Sequence, residues 1–173
     1  AGEPAGLNSE GPVLAPRVDD GAAYAAKLEK PAIIGHSIGG LIALEVAAKQ
    51  PAKVDRILVV DALSFYSLLF GPQATPAMAK PQAELMRTQT IAMADAQFAA
   101  GQDQTMAMMV KTESARAAPK DWSLKSDRKV IAQAMYDAML EDARPLLPAI
   151  KAKATVVYAY DPAMNRPASM LDG

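Results

Sequence analysis

The chain has 173 residues, with 18 Lys and Arg against 19 Asp and Glu, a formal net charge of −1, one His and no Cys. This length fits one domain with a sizeable core. The near-zero charge gives no electrostatic basis for binding nucleic acid, and no apolar run approaches the roughly 20 residues of a membrane span. The lack of Cys excludes disulfides and cysteine nucleophiles, and a single His excludes multi-histidine metal sites. We expect no metal and no cofactor.

The N-terminal stretch carries few structural signals. Residues 1–21 are rich in Gly, Pro and Ala and are predicted to form a loop, and residues 18–29 have a weak helical pattern that Pro31 ends. There is no initiating Met and no signal-peptide pattern. We therefore expect a processed terminus or a fragment, and the compartment stays open between the cytoplasm and, after processing, the periplasm or the exterior.

The next stretch predicts a strand, a sharp turn, a helix and a second strand. Residues 32–34 are a short apolar run, typical of a strand that is buried on both faces. The turn G-H-S-I-G-G follows at residues 35–40, then residues 41–49 are uninterrupted helix formers. Residues 54–60 predict another buried strand, which ends at Asp61. This order indicates a parallel sheet with a right-handed crossover, and so an α/β fold.

The rest of the chain is mostly helical. Prolines at 72, 76 and 81 break the chain, and three helical segments are predicted at 82–100, 103–115 and 126–142, with Trp122 in a polar linker. Residues 154–160 predict a last buried strand, followed by Asp161 and Pro162. A block of helices between strands has the pattern of a cap over one edge of the sheet.

The G-x-S-x-G pattern at residues 35–39 has a mechanical basis. A serine between a strand and a helix needs so sharp a turn that the residues two positions before and after it, Gly35 and Gly39, must be small. The turn exposes the oxygen of Ser37 near a helix N-terminus, where the Ile38 N–H can hold a developing oxyanion. The other interpretation is a glycine-rich turn with no chemistry.

Residues 31–63 resemble the nucleophile strand, elbow, helix and following strand of the α/β-hydrolase superfamily. Residues 72–145 resemble the helical cap of that family, and residues 154–162 resemble the strand and turn that carry the triad acid. The resemblance implies a mostly parallel sheet, incomplete at both ends, with core elements in residues 1–71 and 146–173. It also implies a serine hydrolase of the esterase or lipase type. The elbow residues around Ser37 are Gly35, His36, Gly39 and Gly40.

The resemblance further implies the chain order serine, acid, histidine. Asp161 is then the acid, with Asp61 as the alternative. The other interpretation of Asp161 is a turn-opening residue before Pro162, and that of Asp61 is a cap or loop aspartate. No His follows Asp161. His36 directly precedes Ser37, and because the turn directs adjacent side chains to opposite sides, we expect it to line the elbow instead of acting as the base. We expect the His and a second oxyanion loop to come from a segment outside this chain or from a complementary chain.

The main hypothesis is a serine hydrolase that acts on small or medium apolar carboxyl esters, with Ser37, Ile38 and Asp161 in its site and no nucleic-acid partner. One alternative is another reaction on the same machinery, such as lactone or carbon–carbon hydrolysis, acyl transfer or perhydrolysis. Another is a non-catalytic domain that binds a small apolar ligand or a partner chain. Phe65, Tyr66 and Phe70 follow the second strand, where a pocket wall would lie, although hydrophobic packing also explains them.

Overall fold

The computed structural model describes residues 11–159. Three parallel strands, β1 (Ala32–His36), β2 (Arg56–Val60) and β3 (Lys153–Val157), form one sheet in the order β1-β2-β3. In the register of this sheet Gly35 pairs with Val59, and Val59 pairs with Val156. The predicted α/β class with a parallel sheet is confirmed.

Six α-helices accompany the sheet in the described part of the chain. They are α1 (Leu14–Ala25), α2 (Ile38–Lys49), α3 (Pro76–Ala92), α4 (Asp95–Met109), α5 (Ala117–Lys125) and α6 (Arg128–Leu140). Short 3₁₀ helices lie at Tyr66–Phe70, Glu113–Ala115 and Arg144–Ala149. Within residues 11–159, none of the helices has both the length and the apolar character needed to cross a membrane.

The main core lies between one face of the sheet and the helices α1 and α2. Its buried members are Val18, Ala22, Ala25, Val46, Ala47, Val54, Ile57 and Val59. On the other face Ile34 is 72 % exposed, and every residue of β3 is exposed. The prediction that these strands are buried on both faces is therefore wrong for the described residues. Among these residues, α2 is the helix that contacts β1 and β2 most extensively.

Helix α1 begins four residues earlier than the sequence predicts and ends before Pro31. Its N-terminal position, Val13, has no capping side chain of its own. The cap is supplied by Asp137 of α6, whose carboxylate accepts the backbone N–H groups of Val13 and Leu14, the latter at 3.1 Å. The loop predicted for residues 1–21 is thus wrong from residue 14 onward.

The segment between β2 and β3 has four helices instead of the predicted three. Helix α3 starts at Pro76, capped by the Thr75 hydroxyl, and it also contains Pro81. Trp122, predicted in a linker, belongs to α5. Pro76 costs the helix little because the N–H at its first position would have no partner within it, whereas Pro81, in the second turn, removes the N–H that would bond to the Ala77 carbonyl. Helix α3 packs on α6, and α4 packs on α5.

Candidate active site

Ser37 occupies a sharp turn between the last residue of β1 and the first residue of α2. Its backbone has φ 52° and ψ −128°, in the left-handed half of conformational space that residues with a Cβ rarely adopt. Its N–H donates to the Val60 carbonyl at 3.0 Å, and its own carbonyl accepts the Gly40 N–H at 2.7 Å. The neighbouring strand and the helix therefore hold this strained residue from both sides.

Two glycines leave the space that the turn requires. A Cβ on Gly35 would lie 2.0 Å from the Gly39 carbonyl oxygen, and one on Gly40 would lie 2.4 Å from the Ala62 Cβ. A Cβ on Gly39 would meet nothing within 4 Å. The expected need for a small residue thus holds at Gly35 but is wrong at Gly39, because the helix directs that position away from the strand and brings Gly40 against β2 instead.

The first turn of α2 presents unpaired backbone N–H groups beside the serine. The Ser37 carbonyl accepts the N–H groups of Gly40 and Leu41. As the first residue of the helix, Ile38 has no carbonyl within the helix for its N–H, and the helix dipole adds positive potential there. The Ile38 N–H is therefore available to an anionic oxygen.

Asp61 directly follows β2 and lies next to this turn. It also has a positive φ, 47°, and its N–H donates to the Val157 carbonyl at 2.6 Å. Its exposed carboxylate accepts the Ala159 N–H at 3.4 Å. The Val60 carbonyl accepts the Ser37 N–H, so Asp61, the alternative acid, directly follows a residue that bonds to the backbone of the serine. Asp161, the acid implied first, lies outside the described residues.

His36 is the last residue of β1 and pairs with Val60 in the sheet register. It is exposed, as is Ile34 two residues earlier, whereas Ile33 packs against the core under α1 and α2. Since side chains alternate along a strand, His36 lies on the face of the sheet that α2 does not cover. Its expected role as lining of the turn stays a prediction.

Comparison with known proteins identifies the family. The model of the alpha/beta hydrolase family matches residues 5–171. The chain belongs to this family. A segment of 40 residues is 45 % identical to a protein of Agrobacterium fabrum that is named as a carbamate hydrolase, RutD. That segment covers 23 % of this chain and 15 % of the length of the curated relative. No solved structure matches the chain significantly.

The sequence analysis of this alpha/beta hydrolase missed the polar end of Tyr66. Tyr66 begins the 3₁₀ helix after β2, and its hydroxyl is fully buried with no hydrogen bond of regular geometry to any described residue. Burial raises the pKa of the phenol, and so does the nearby charge of Asp61, while the Ser37 hydroxyl and the backbone of Leu63 lower it in part. The phenol oxygen is therefore beside the serine, a contact that sequence spacing does not indicate.

An apolar cleft of about 290 Å³ is lined by residues between Phe70, which ends the 3₁₀ helix of Tyr66, and Gln82. Phe70 and Met78, both largely exposed, are among its lining residues. Between residues 11 and 159 no three His, Cys, Asp or Glu side chains are grouped so that they could hold a metal ion. The chemistry available here is that of a hydroxyl, backbone N–H groups, a phenol and a carboxylate.

Proposed function

We propose that Ser37 is the nucleophile of a hydrolase that acts on carboxyl esters of small or medium apolar molecules. The observation that carries the proposal is the strained left-handed backbone of Ser37 between a parallel strand and the first turn of a helix. Such strain persists only where the surroundings fix it, and it concentrates at functional sites. Membership of the alpha/beta hydrolase family supports hydrolysis as the type of reaction.

The reaction would follow the covalent course of serine hydrolases. The Ser37 oxygen bonds to the ester carbonyl carbon while its proton passes to a general base. The Ile38 N–H stabilises the resulting oxyanion, and the bond to the alcohol breaks as the alcohol takes up that proton. Water then attacks the acyl group on Ser37, releasing the acid and regenerating the hydroxyl.

The general base would be a His that is not among these 173 residues, since the sequence has one His, which directly precedes Ser37 and lies on the face of the sheet that α2 does not cover. An acid would orient that His. Asp161 is the acid that the family order favours. Asp61 is the alternative, and it is supported by its position directly after Val60, whose carbonyl accepts the Ser37 N–H. The base and the second oxyanion loop would come from another segment or a complementary chain.

The apolar surface that follows Tyr66 in the chain supports the substrate class. The exposed side chains of Leu69 and Phe70 follow Tyr66 within four residues, and Phe70 lines one cleft with the exposed Met78. We further propose that residues 72–145 form a cap that encloses the apolar part of the substrate. The support for this is that α6 packs on the 3₁₀ helix that carries Tyr66.

A second candidate substrate is a carbamate, which has the same carbonyl geometry as an ester. The observation that favours it is the 40-residue likeness to the protein named as a carbamate hydrolase. The two candidates share the nucleophile and the oxyanion site, so they differ only in the leaving group and in the contacts that select it.

The test is labelling with a fluorophosphonate, followed by intact-mass measurement, on the protein expressed from its complete open reading frame. We expect one label per molecule in the wild type and in Ser114→Ala, whose serine is exposed and remote in sequence, and none in Ser37→Ala. Hydrolysis of matched nitrophenyl esters and carbamates then ranks the substrates. A folded protein that takes no label, or a Ser37→Ala variant that labels normally, would overturn the proposal and favour the binding domain.

A further inference from the structure

We propose that the Tyr66 hydroxyl is a side-chain hydrogen-bond donor of this site, which acts with the Ile38 N–H on the oxyanion formed when Ser37 attacks a substrate carbonyl. The inference rests on the proposed function of Ser37 as the nucleophile. It assigns a catalytic role to a residue outside the G-H-S-I-G-G turn, on the 3₁₀ helix that follows the neighbouring strand.

The Tyr66 hydroxyl is buried, and it makes no hydrogen bond of regular geometry in the described part of the chain. Buried hydroxyl groups in folded proteins are nearly always hydrogen-bonded, because an unpaired one costs stability. The Tyr66 hydroxyl has no regular hydrogen bond between residues 11 and 159, although it lies close to the Ser37 hydroxyl. A ligand oxygen at Ser37 would satisfy it.

The Tyr66 hydroxyl is also close to the place where that ligand oxygen would be. After attack, the Ser37 oxygen and the oxyanion are bonded to the same carbon atom, so they are only two bonds apart. A donor that lies beside the Ser37 oxygen is therefore placed to reach the oxyanion. The Ile38 N–H lies on the helix side of the serine, and Tyr66 approaches from the loop after β2, so the two donors come from different elements.

The loop that bears Tyr66 is held in place by contacts on both sides of this residue. Phe65 is completely buried, and the Arg144 guanidinium lies over its ring at 4.6 Å. The buried Ser67 hydroxyl donates to the Met139 carbonyl at 2.5 Å, and the Ala143 N–H donates to the Ser64 carbonyl at 2.9 Å. Donors held in place before the reaction stabilise a transition state most effectively.

The phenol also keeps its proton at neutral pH. Burial and the Asp61 carboxylate raise its pKa, so the neutral donor form persists. The backbone N–H of Leu63 faces the phenol oxygen. That N–H can donate to the oxygen while the phenolic proton points to the oxyanion.

Simple packing is the competing explanation, and one substitution separates the two. The Tyr66 ring packs against a buried cluster of Leu14, Leu41, Ala138 and Ala143. Tyr66→Phe keeps this ring and removes only the hydroxyl. A purely structural residue would tolerate that change, whereas a donor to the oxyanion would not.

The experiment measures ester hydrolysis and the rate of fluorophosphonate labelling for the wild type, Tyr66→Phe, Ser37→Ala and the control Tyr136→Phe. We expect Tyr66→Phe to lower kcat and the labelling rate constant by about 10- to 100-fold with KM nearly unchanged, because oxyanion contacts form mainly in the transition state. Tyr136→Phe should match the wild type, since that ring stacks under Arg87 in the helical segment.

The outcomes separate the two proposals. A wild type that neither labels nor hydrolyses through Ser37 overturns both. Ser37-dependent activity with Tyr66→Phe at the wild-type rate, or with only KM changed, overturns the role of Tyr66 alone. If Tyr66→Phe does not fold, 3-fluorotyrosine at position 66 keeps the hydroxyl and lowers its pKa. The alkaline loss of activity should then move to lower pH, and an unmoved pH profile overturns the inference.

Discussion

Gly35, Gly39 and Gly40 flank Ser37, and a Cβ added at each of them would have different surroundings. Gly35→Ala would bring a Cβ to 2.0 Å from a backbone carbonyl, so the strand or the helix must move. We expect a loss of about 3 kcal/mol or more in the free energy of unfolding. Gly39→Ala meets open space inside α2 and should gain up to about 1 kcal/mol from helix propensity.

Urea unfolding of the two variants beside the wild type checks this prediction. Both variants add the same methyl group two residues from Ser37, so each is the other's control. Equal midpoints for Gly35→Ala and Gly39→Ala would show that crowding in the turn does not limit stability. Loss of the Ser37 label in Gly35→Ala but not in Gly39→Ala would further tie the crowded position to the geometry of the nucleophile.

At the scale of elements, the start of α1 depends on a side chain from another helix. The Asp137 carboxylate of α6 accepts two backbone N–H groups at the N-terminus of α1, and its other oxygen accepts the Gln133 amide at 2.7 Å. Asp137→Ala should therefore lower the free energy of unfolding by about 1 to 2 kcal/mol. Asp137→Asn should lose less because it keeps an acceptor oxygen.

The control for Asp137 is Asp19→Ala, which removes an exposed ion pair with Lys49 at 2.6 Å. Exposed pairs contribute about 1 kcal/mol or less. Thermal unfolding of the three variants would rank them Asp137→Ala, then Asp137→Asn, then Asp19→Ala in loss of stability. If Asp137→Ala were no less stable than Asp19→Ala, the capping role would be wrong.

Sequence reasoning predicted the elements whose signals are local. The three strands contain short apolar runs, with Pro31 before β1 and Asp55 and Asp61 on either side of β2, and the turn around Ser37 is specified by residues within three positions of it. The start of α1 could not be predicted because its cap comes from 124 residues away. The break between α3 and α4, at Met93 and Ala94, has no Gly or Pro to mark it.

In the candidate site, too, only residues that are close in sequence could be recognised together. Ser37 and Ile38 belong to one contiguous motif, so their spacing could be recognised, although their chemical roles stay predictions. Tyr66 comes near Ser37 only because β2 pairs with β1 and the chain then turns back. Sequence hydrophobicity describes its ring and gives no information about where the hydroxyl points.

At the scale of the whole molecule, the sheet layer and the helical segment meet around the end of α6. Ser67 and Ser64 bond to the backbone of Met139 and Ala143 there, and Asp137 caps α1. A buried cluster of Leu14, Leu41, Ala138 and Ala143 fills the space between them. The loop that carries Tyr66 is therefore part of this junction, so changes in the junction should alter both stability and the site.

The junction also contains a buried acid, which makes the stability of the whole molecule depend on pH. Glu45 of α2 is only 7 % exposed, and its Oε1 has no hydrogen-bond partner in the described part of the chain. Burial, together with the nearby Glu141 and against the opposing effect of Lys49, raises its pKa from 4.5 to about 7. The folded state therefore binds this proton more tightly than the unfolded state does.

The sign of the pH dependence follows from this difference. Below about pH 4.5 the carboxyl is protonated in both states, and between 4.5 and 7 only the unfolded chain readily loses the proton. The free energy of unfolding therefore falls as the pH rises through this window, and it levels off above pH 7. We expect a loss of about 2 kcal/mol between pH 5 and pH 8 that Glu45→Gln abolishes, making this variant more stable than the wild type at pH 8. Urea unfolding at four pH values measures it, with Glu29→Gln as the control because Glu29 is exposed on the loop after α1. Parallel pH profiles for the wild type and Glu45→Gln would show that Glu45 does not take up this proton on folding.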